Sequence, residues 1–144
     1  MKTIALIIII TLSGICSFGQ SRQDQTQILQ KCIDLPNLQT YLPTDGNGIM
    51  KQIFINYWHP NLFSPDLVVT KGGKNVKFEI MSAQPSNESD AFLLFKKFDI
   101  SGDKAILNFE FHYQISNDAK VVTFSFSLQK ENNDWKVLEP ILIF

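Results

Sequence analysis

Between Lys104 and Lys130 the chain alternates apolar and polar residues almost without exception, and few folds can accept that pattern. Ala105, Leu107, Phe109, Phe111 and Tyr113 fall on one side, opposed to Asn108, Glu110, His112 and Gln114. Successive side chains leave opposite sides of a pleated strand, so a period of two predicts a strand with one buried face. After Ser116-Asn117-Asp118-Ala119 the pattern resumes, with Val122, Phe124, Phe126 and Leu128 against Thr123, Ser125, Ser127 and Gln129. Asn and Asp tolerate the left-handed conformation of a tight turn, which predicts a two-residue turn at Asn117-Asp118. That turn sets Tyr113 opposite Val122, Phe111 opposite Phe124, Phe109 opposite Phe126 and Leu107 opposite Leu128. A slip of one residue would bury the polar row and expose the aromatic one.

The rest of the chain has to supply a cover for this apolar face. At 144 residues, with 44% hydrophobic and 12% aromatic content, it has enough apolar mass for one packed core. The twelve Phe matter most, since each large ring removes about 150 Å² or more from water. The formal net charge of −1 argues against a nucleic-acid partner, which calls for a basic face.

Residues 1–19 have the layout of a secretory signal peptide. Lys2 gives a positive start, Ile4 to Leu12 is an almost unbroken apolar run, and Ser17-Phe18-Gly19 offers small residues before a cut ahead of Gln20. The run is too short to anchor the chain across a bilayer, and no transmembrane segment is expected after it. Residues 20–144 are then expected to form a single α+β domain, secreted or periplasmic. The leader, ending Phe-Gly-Gln, resembles those of secreted Bacteroidetes proteins. Cys16 permits a rival reading, an envelope lipoprotein acylated there, although Ile15 is larger than the residue such signals place before the cysteine. With the leader removed Cys32 is the one cysteine left, so no internal disulfide is expected and packing must carry stability.

Ser21–Leu35 reads as a helix, with Ser21 or Asp24 as its cap and Ile28, Leu29, Cys32 and Ile33 on one face. Pro36 ends it. Leu38, Tyr41 and Leu42 allow a second short turn, and Thr44-Asp45-Gly46-Asn47-Gly48 is a loop. Lys51–Trp58 is expected to be a strand showing Ile53, Ile55 and Tyr57 to one side. Leu67–Thr70 and Asn75–Met81 flank a Gly72-Gly73 hairpin turn, pairing Val69 with Val76 and Leu67 with Phe78. Gln84–Asp90 is expected to be an exposed loop. Ala91–Ile100 returns through Gly102-Asp103 into the long hairpin, which pairs Phe98 with Leu107 and strands Lys96 opposite Phe109. That conflict predicts either a snorkelling lysine or a bulge. Trp135–Phe144 is apolar on both faces and reads as a central or covered strand. The predicted architecture is an N-terminal helix packed on a curved antiparallel meander of six to seven strands.

Ile100-Ser101-Gly102-Asp103-Lys104-Ala105, the hairpin itself, Leu128-Gln129-Lys130 and Asp134-Trp135-Lys136-Val137 together resemble the C-terminal half of cystatin-like and nuclear-transport-factor-like domains. The resemblance covers about residues 91–144 and implies a helix lying against a strongly bent sheet. One helix before the sheet, where transport-factor-like domains have three, favours the cystatin-like variant.

Asn108, Glu110 and His112 share one strand face, and the expected register sets Ser127, Ser125 and Thr123 against them, with β-carbons about 5 Å apart. Glu110 and His112 are about 7 Å apart along the strand, a spacing that water can bridge. Leu93 and Phe95 are expected on the same face. An acid–base pair on a buried strand can move protons; on a solvated sheet face the same residues are ordinary surface. Two groups fall short of the three or four ligands a zinc site takes, so no metal is expected, and no cofactor motif is present. Trp58 and His59, in Tyr57-Trp58-His59-Pro60, are a second ligand-binding candidate. Glu139 is expected to be turned outward by a bulge at Pro140. The expected function is a non-catalytic binding module for an unknown protein or small-molecule ligand, met at the open end of the sheet. The alternative is a small transport-factor-like enzyme with Glu110 and His112 as candidate catalytic residues inside the sheet's concavity; Trp58, His59, Asn108, Thr123 and Ser125 are the candidate ligand-binding residues.

Overall fold

A computed structural model describes residues 16–81, 91–115 and 118–144, and the side chains of all of these except 16–21, 114, 115, 140 and 142. Helix α1 (Cys16–Ile33) is followed by the single turn α2 (Pro36–Gln39). The strands are β1 (Phe54–Tyr57), β2 (Thr70–Lys71), β3 (Lys74–Asn75), β4 (Lys77–Ile80), β5 (Ala91–Ser101), β6 (Lys104–Ile115), β7 (Asp118–Glu131) and β8 (Asp134–Ile143). The loop expected at 84–90 lies outside the described residues.

Six strands form one sheet in the order β4-β1-β5-β6-β7-β8, and β2 pairs with β3 separately. The expected all-antiparallel meander holds only for β5 to β8. Strand β1 is parallel to both of its neighbours, with Phe54 opposite Lys77 on one side and Phe92 on the other. Parallel pairing joins segments far apart in sequence, and local alternation gives no sign of it. The Gly72-Gly73 turn forms as expected, both glycines at positive φ (57° and 74°), and Val76 N donates to Val69 O at 2.8 Å. The chain then leaves that hairpin, so Leu67 and Phe78 do not pair, and β4 joins β1 instead.

The β6–β7 hairpin keeps both expected faces at a register shifted by two residues. Ile115 pairs with Asp118, Phe111 with Val122, Phe109 with Phe124, Leu107 with Phe126 and Ala105 with Leu128. Asp118 therefore belongs to β7 and not to a turn, and residues 116–117 between the strands lie outside the described residues. A shift by two preserves the side of every residue, so alternation alone cannot distinguish the two registers. Strand β5 carries the bulge that the misplaced Lys96 called for: Phe95 pairs with Phe109 and Lys97 with Asn108, leaving Lys96 as the extra residue. From that point the pairing differs from expectation, with Leu93 opposite Phe111 and Phe92 opposite His112. Leu93 and Phe95 are thereby core residues, and Phe92 and Leu94 take the side of Glu110 and His112.

Ile28, Leu29, Cys32 and Ile33 of α1 are fully buried in one cluster with Ile55, Leu93, Leu107, Phe109, Phe111, Phe124, Leu128 and Trp135. Phe109 and Phe124 stack at 5.1 Å and 18°, and Phe63 meets Phe95 and Phe98 edge-on. Two glutamines of α1 bind backbone outside the helix reciprocally. Gln30 donates to Thr70 O and accepts from Thr70 N, and Gln25 donates to Leu62 O and accepts from Ser64 N. Asp24 does not cap the helix. It lies within α1, nearly buried, and its Oδ1 accepts from Lys130 Nζ at 2.7 Å and from Trp135 Nε1 at 2.9 Å.

Strand β8 is an edge, not the central or covered strand that its composition suggested. Leu138 and Ile143 are 42% and 39% exposed, and Phe144 76%. Its ladder is interrupted where Glu139 to Ile141 stand opposite one residue of β7. Proline has no N–H to donate, and edge strands are where such breaks are tolerated. Glu139 is exposed there and accepts from Ile141 N, as the bulge reading requires. Asn132 and Asn133 form the β7–β8 turn, both at positive φ, as a two-residue hairpin turn demands. No described helix is long and apolar enough to cross a membrane.

Candidate functional site

The sheet has a second face, turned away from the buried cluster, and the register assigns its residues row by row. One row runs Lys77, Phe54, Phe92, His112, Val121; the next runs Glu79, Asn56, Leu94, Glu110, Thr123. The β5 bulge completes this arrangement. Without an extra residue at Lys96, the side chains beside His112 and Glu110 would be Leu93 and Phe95; with it they are Phe92 and Leu94. Bulges re-aim side chains in this way next to functional sites.

His112 Nε2 and Glu110 Oε2 are 2.8 Å apart, a direct contact where the strand spacing had suggested a bridging water. Lys96 Nζ approaches the same carboxylate oxygen at 3.4 Å. The His112 ring lies flat on Phe92, with centroids 4.5 Å apart and planes within 10°. A carboxylate only accepts, so the ring nitrogen facing Glu110 carries the hydrogen, and in the neutral imidazole the free lone pair is on Nδ1. Glu110 thus fixes the tautomer, Phe92 fixes the ring plane, and Lys96 balances the carboxylate. The His112 and Glu110 side chains are 28% and 27% exposed. They lie on the reverse of the face that carries Phe109 and Phe111, not beneath α1.

Apolar and unpaired groups extend the site toward β1. Phe54 and Leu94 are buried on this face, and Lys77 Nζ stands 5.7 Å over the Phe54 ring. Asn56 is 5% exposed; its Nδ2 donates to Met81 Sδ at 3.4 Å, and its Oδ1 has no hydrogen-bond partner among the described residues. Sequence reasoning did not place Asn56, Phe92 or Lys96 at the site. The misfit of Lys96 opposite Phe109 was the signal that could have brought in Lys96 and Phe92; nothing local pointed to Asn56.

The other candidates divide. The observed register pairs Asn108 with Ser125 and Glu110 with Thr123, correcting the expected Glu110–Ser125 and His112–Thr123 neighbours; His112 faces Val121. Asn108, Thr123 and Ser125 therefore stay on the Glu110 face, each half-buried. Trp58 and His59 follow the end of β1 and are exposed, Trp58 by 51%; His59 O accepts from Leu62 N in the turn that follows. No contact joins them to Glu110 or His112 among the described residues. There, too, no three His, Cys, Asp or Glu side chains converge as a metal site would need. Comparison with protein-family models, with curated proteins and with solved structures gave no match for this chain.

Proposed function

We propose that this is an exported binding domain without chemistry of its own, whose ligand meets the sheet face that carries Glu110 and His112. In this reading residues 1–19 are removed on export, and the helix lies over a curved sheet in a cystatin-like or transport-factor-like arrangement. The observation that supports it is the Lys96–Glu110–His112 group: its carboxylate and imidazole are held in place yet 27% and 28% exposed, on the side of the sheet away from the core. Pre-set polar groups beside aromatic surface are what a specific, non-covalent site needs. The test is a thermal-shift screen of the purified protein against small polar molecules, repeated with Glu110→Ala. A hit that stabilises the parent and loses its effect in the variant is expected. Hits indifferent to that substitution would remove the reading. Mass spectrometry of the exported protein is expected to find Gln20 at its N-terminus.

A second reading rests on the 2.8 Å Glu110–His112 contact, since a carboxylate that orients an imidazole is also an acid–base arrangement. It predicts turnover abolished by His112→Gln and unaffected by Trp58→Ala.

A further inference from the structure

Beside the Glu110–His112 contact, the same sheet face carries further hydrogen-bonding side chains. Asn108 sits opposite Ser125, and Glu110 opposite Thr123. Among the described residues the side chains of Asn108, Thr123 and Ser125 make no hydrogen bond or ion pair. Thr123 is joined on its other side to Phe144 by two backbone hydrogen bonds of 3.1 Å, which hold Phe144 at the next position of the same row. Phe144 is 76% exposed. Strand spacing sets Glu110 and Phe144 about 10 Å apart, close to the length of two sugar rings.

We propose that this row is a binding site for a neutral oligosaccharide, with Phe144 as the stacking platform and Asn108, Glu110, Thr123 and Ser125 reading the hydroxyls. The proposal rests on the binding reading above and names the ligand class for the same face.

Charge and hydrogen-bonding capacity select this class. Of the four side chains that would read hydroxyls only Glu110 is charged, and it is already ion-paired with Lys96 and hydrogen-bonded to His112, while Lys97 beside Asn108 is paired with Asp99, so neither an anion nor a cation gains a free counter-charge. A purely apolar ligand would strip water from three side chains and return no partner, an unfavourable exchange for each group left unpaired. A sugar hydroxyl both donates and accepts, and so matches the amide of Asn108, the hydroxyls of Thr123 and Ser125 and the Glu110 carboxylate together. The C–H face of a pyranose suits an exposed aromatic ring, whose π-face is negative. The supports stand on paired strands of a sheet, so little ordering is needed on binding.

The experiment is calorimetric and NMR titration of the purified protein with maltohexaose, cellohexaose and chitohexaose. At least one is expected to bind with a dissociation constant below about 1 mM, and Phe144→Ala to weaken it about tenfold, the loss of one stacking contact. Asn108→Ala is expected to weaken it about fivefold, and Trp58→Ala to leave it unchanged. Phe144 is an exposed side chain, so its truncation should leave the fold intact, checked by an unchanged amide spectrum. No heat and no shifted amides with any of the three sugars at about 10 mM overturns the proposal, and so does binding indifferent to both Phe144→Ala and Asn108→Ala. A small-molecule hit from the thermal-shift screen that shifts Glu110 and His112 amides, with all three sugars silent, overturns the oligosaccharide alone and leaves the broader binding reading standing.

Discussion

Trp135 Nε1 donates to Asp24 Oδ1 at 2.9 Å across 111 residues of chain, and Lys130 Nζ reaches the same oxygen at 2.7 Å. The carboxylate and ammonium side chains are only 8% and 16% exposed, and the ammonium also stands 5.8 Å from the Trp135 ring. A charge pair this dry depends on both members being present, since removing one leaves the other buried without a counter-charge.

Asp24→Ala is therefore expected to cost about 3 kcal/mol, visible as a lower urea midpoint at unchanged slope. Trp135→Phe, which keeps the ring and loses the N–H, is expected to cost about 1 kcal/mol from the missing bond, with some added cost for the reduced volume. Equal, near-zero effects for both would show that the network contributes nothing to stability.

Deleting Lys96 is expected to preserve the sheet. The residue is surplus to the ladder, and without it Phe95 still faces Phe109, and Phe98 still faces Leu107. The unfolding free energy should fall by no more than about 1 kcal/mol, the range of an exposed ion pair and a change of strand twist, read from the urea midpoint at unchanged slope.

The Asp34 carboxyl predicts a small acid-side loss of stability. Partial burial pushes it up, but hydrogen bonds from Lys71 and Gln30, with the charge of Lys71, outweigh that and hold it below the usual carboxylate range. A group whose folded value is depressed adds stability above its unfolded value, near 3.9, and loses it as pH falls through the folded one. The Asp34 side chain is 48% exposed, so water screens the pair and its worth is under about 1 kcal/mol. Asp34→Asn should thus flatten the stability profile below about pH 4 and leave the slope at neutral pH unchanged.

Cys32 should resist thiol reagents in the native protein. It is fully buried on α1, and burial pushes its thiol far above the ordinary range, so the reactive thiolate is scarce. In a Cys16→Ser background, labelling by a disulfide reagent is expected only as fast as the protein opens, and to speed up on adding urea. Stoichiometric labelling within seconds would show an accessible thiol.

What could be read from the sequence was what depends on near neighbours. The faces of Phe109, Phe111, Phe124 and Phe126, the Gly72-Gly73 turn, the buried side of Ile28 to Ile33 and the break at Pro140 all follow from spacing or from one residue's backbone limits. The β6–β7 register erred by two because Ser116-Asn117 and Asn117-Asp118 both make acceptable turns, and both keep the aromatic face inward. Pairings that join remote segments left no local sign. Nothing in Phe54–Tyr57 marks it as parallel to two strands, and nothing about Asp24 separates a helix cap from a partner for Lys130. At the candidate site Glu110 and His112 were legible from alternation, whereas Phe92 and Asn56 came into view only once the bulge and the parallel strand had been located.

The position of β1 has a kinetic consequence. Successive strands from β5 to β8 are separated by two residues each and can zip together as neighbours, one pair after another. Strand β1 must settle between β4 and β5, with Phe54 meeting Phe92 after the intervening chain has closed as a loop. Loop closure is an entropic delay that tight turns avoid. Refolding should therefore raise the four-stranded half first and seat β1 last, so that the Asn56 and Phe54 side of the ligand face matures after the Glu110 side.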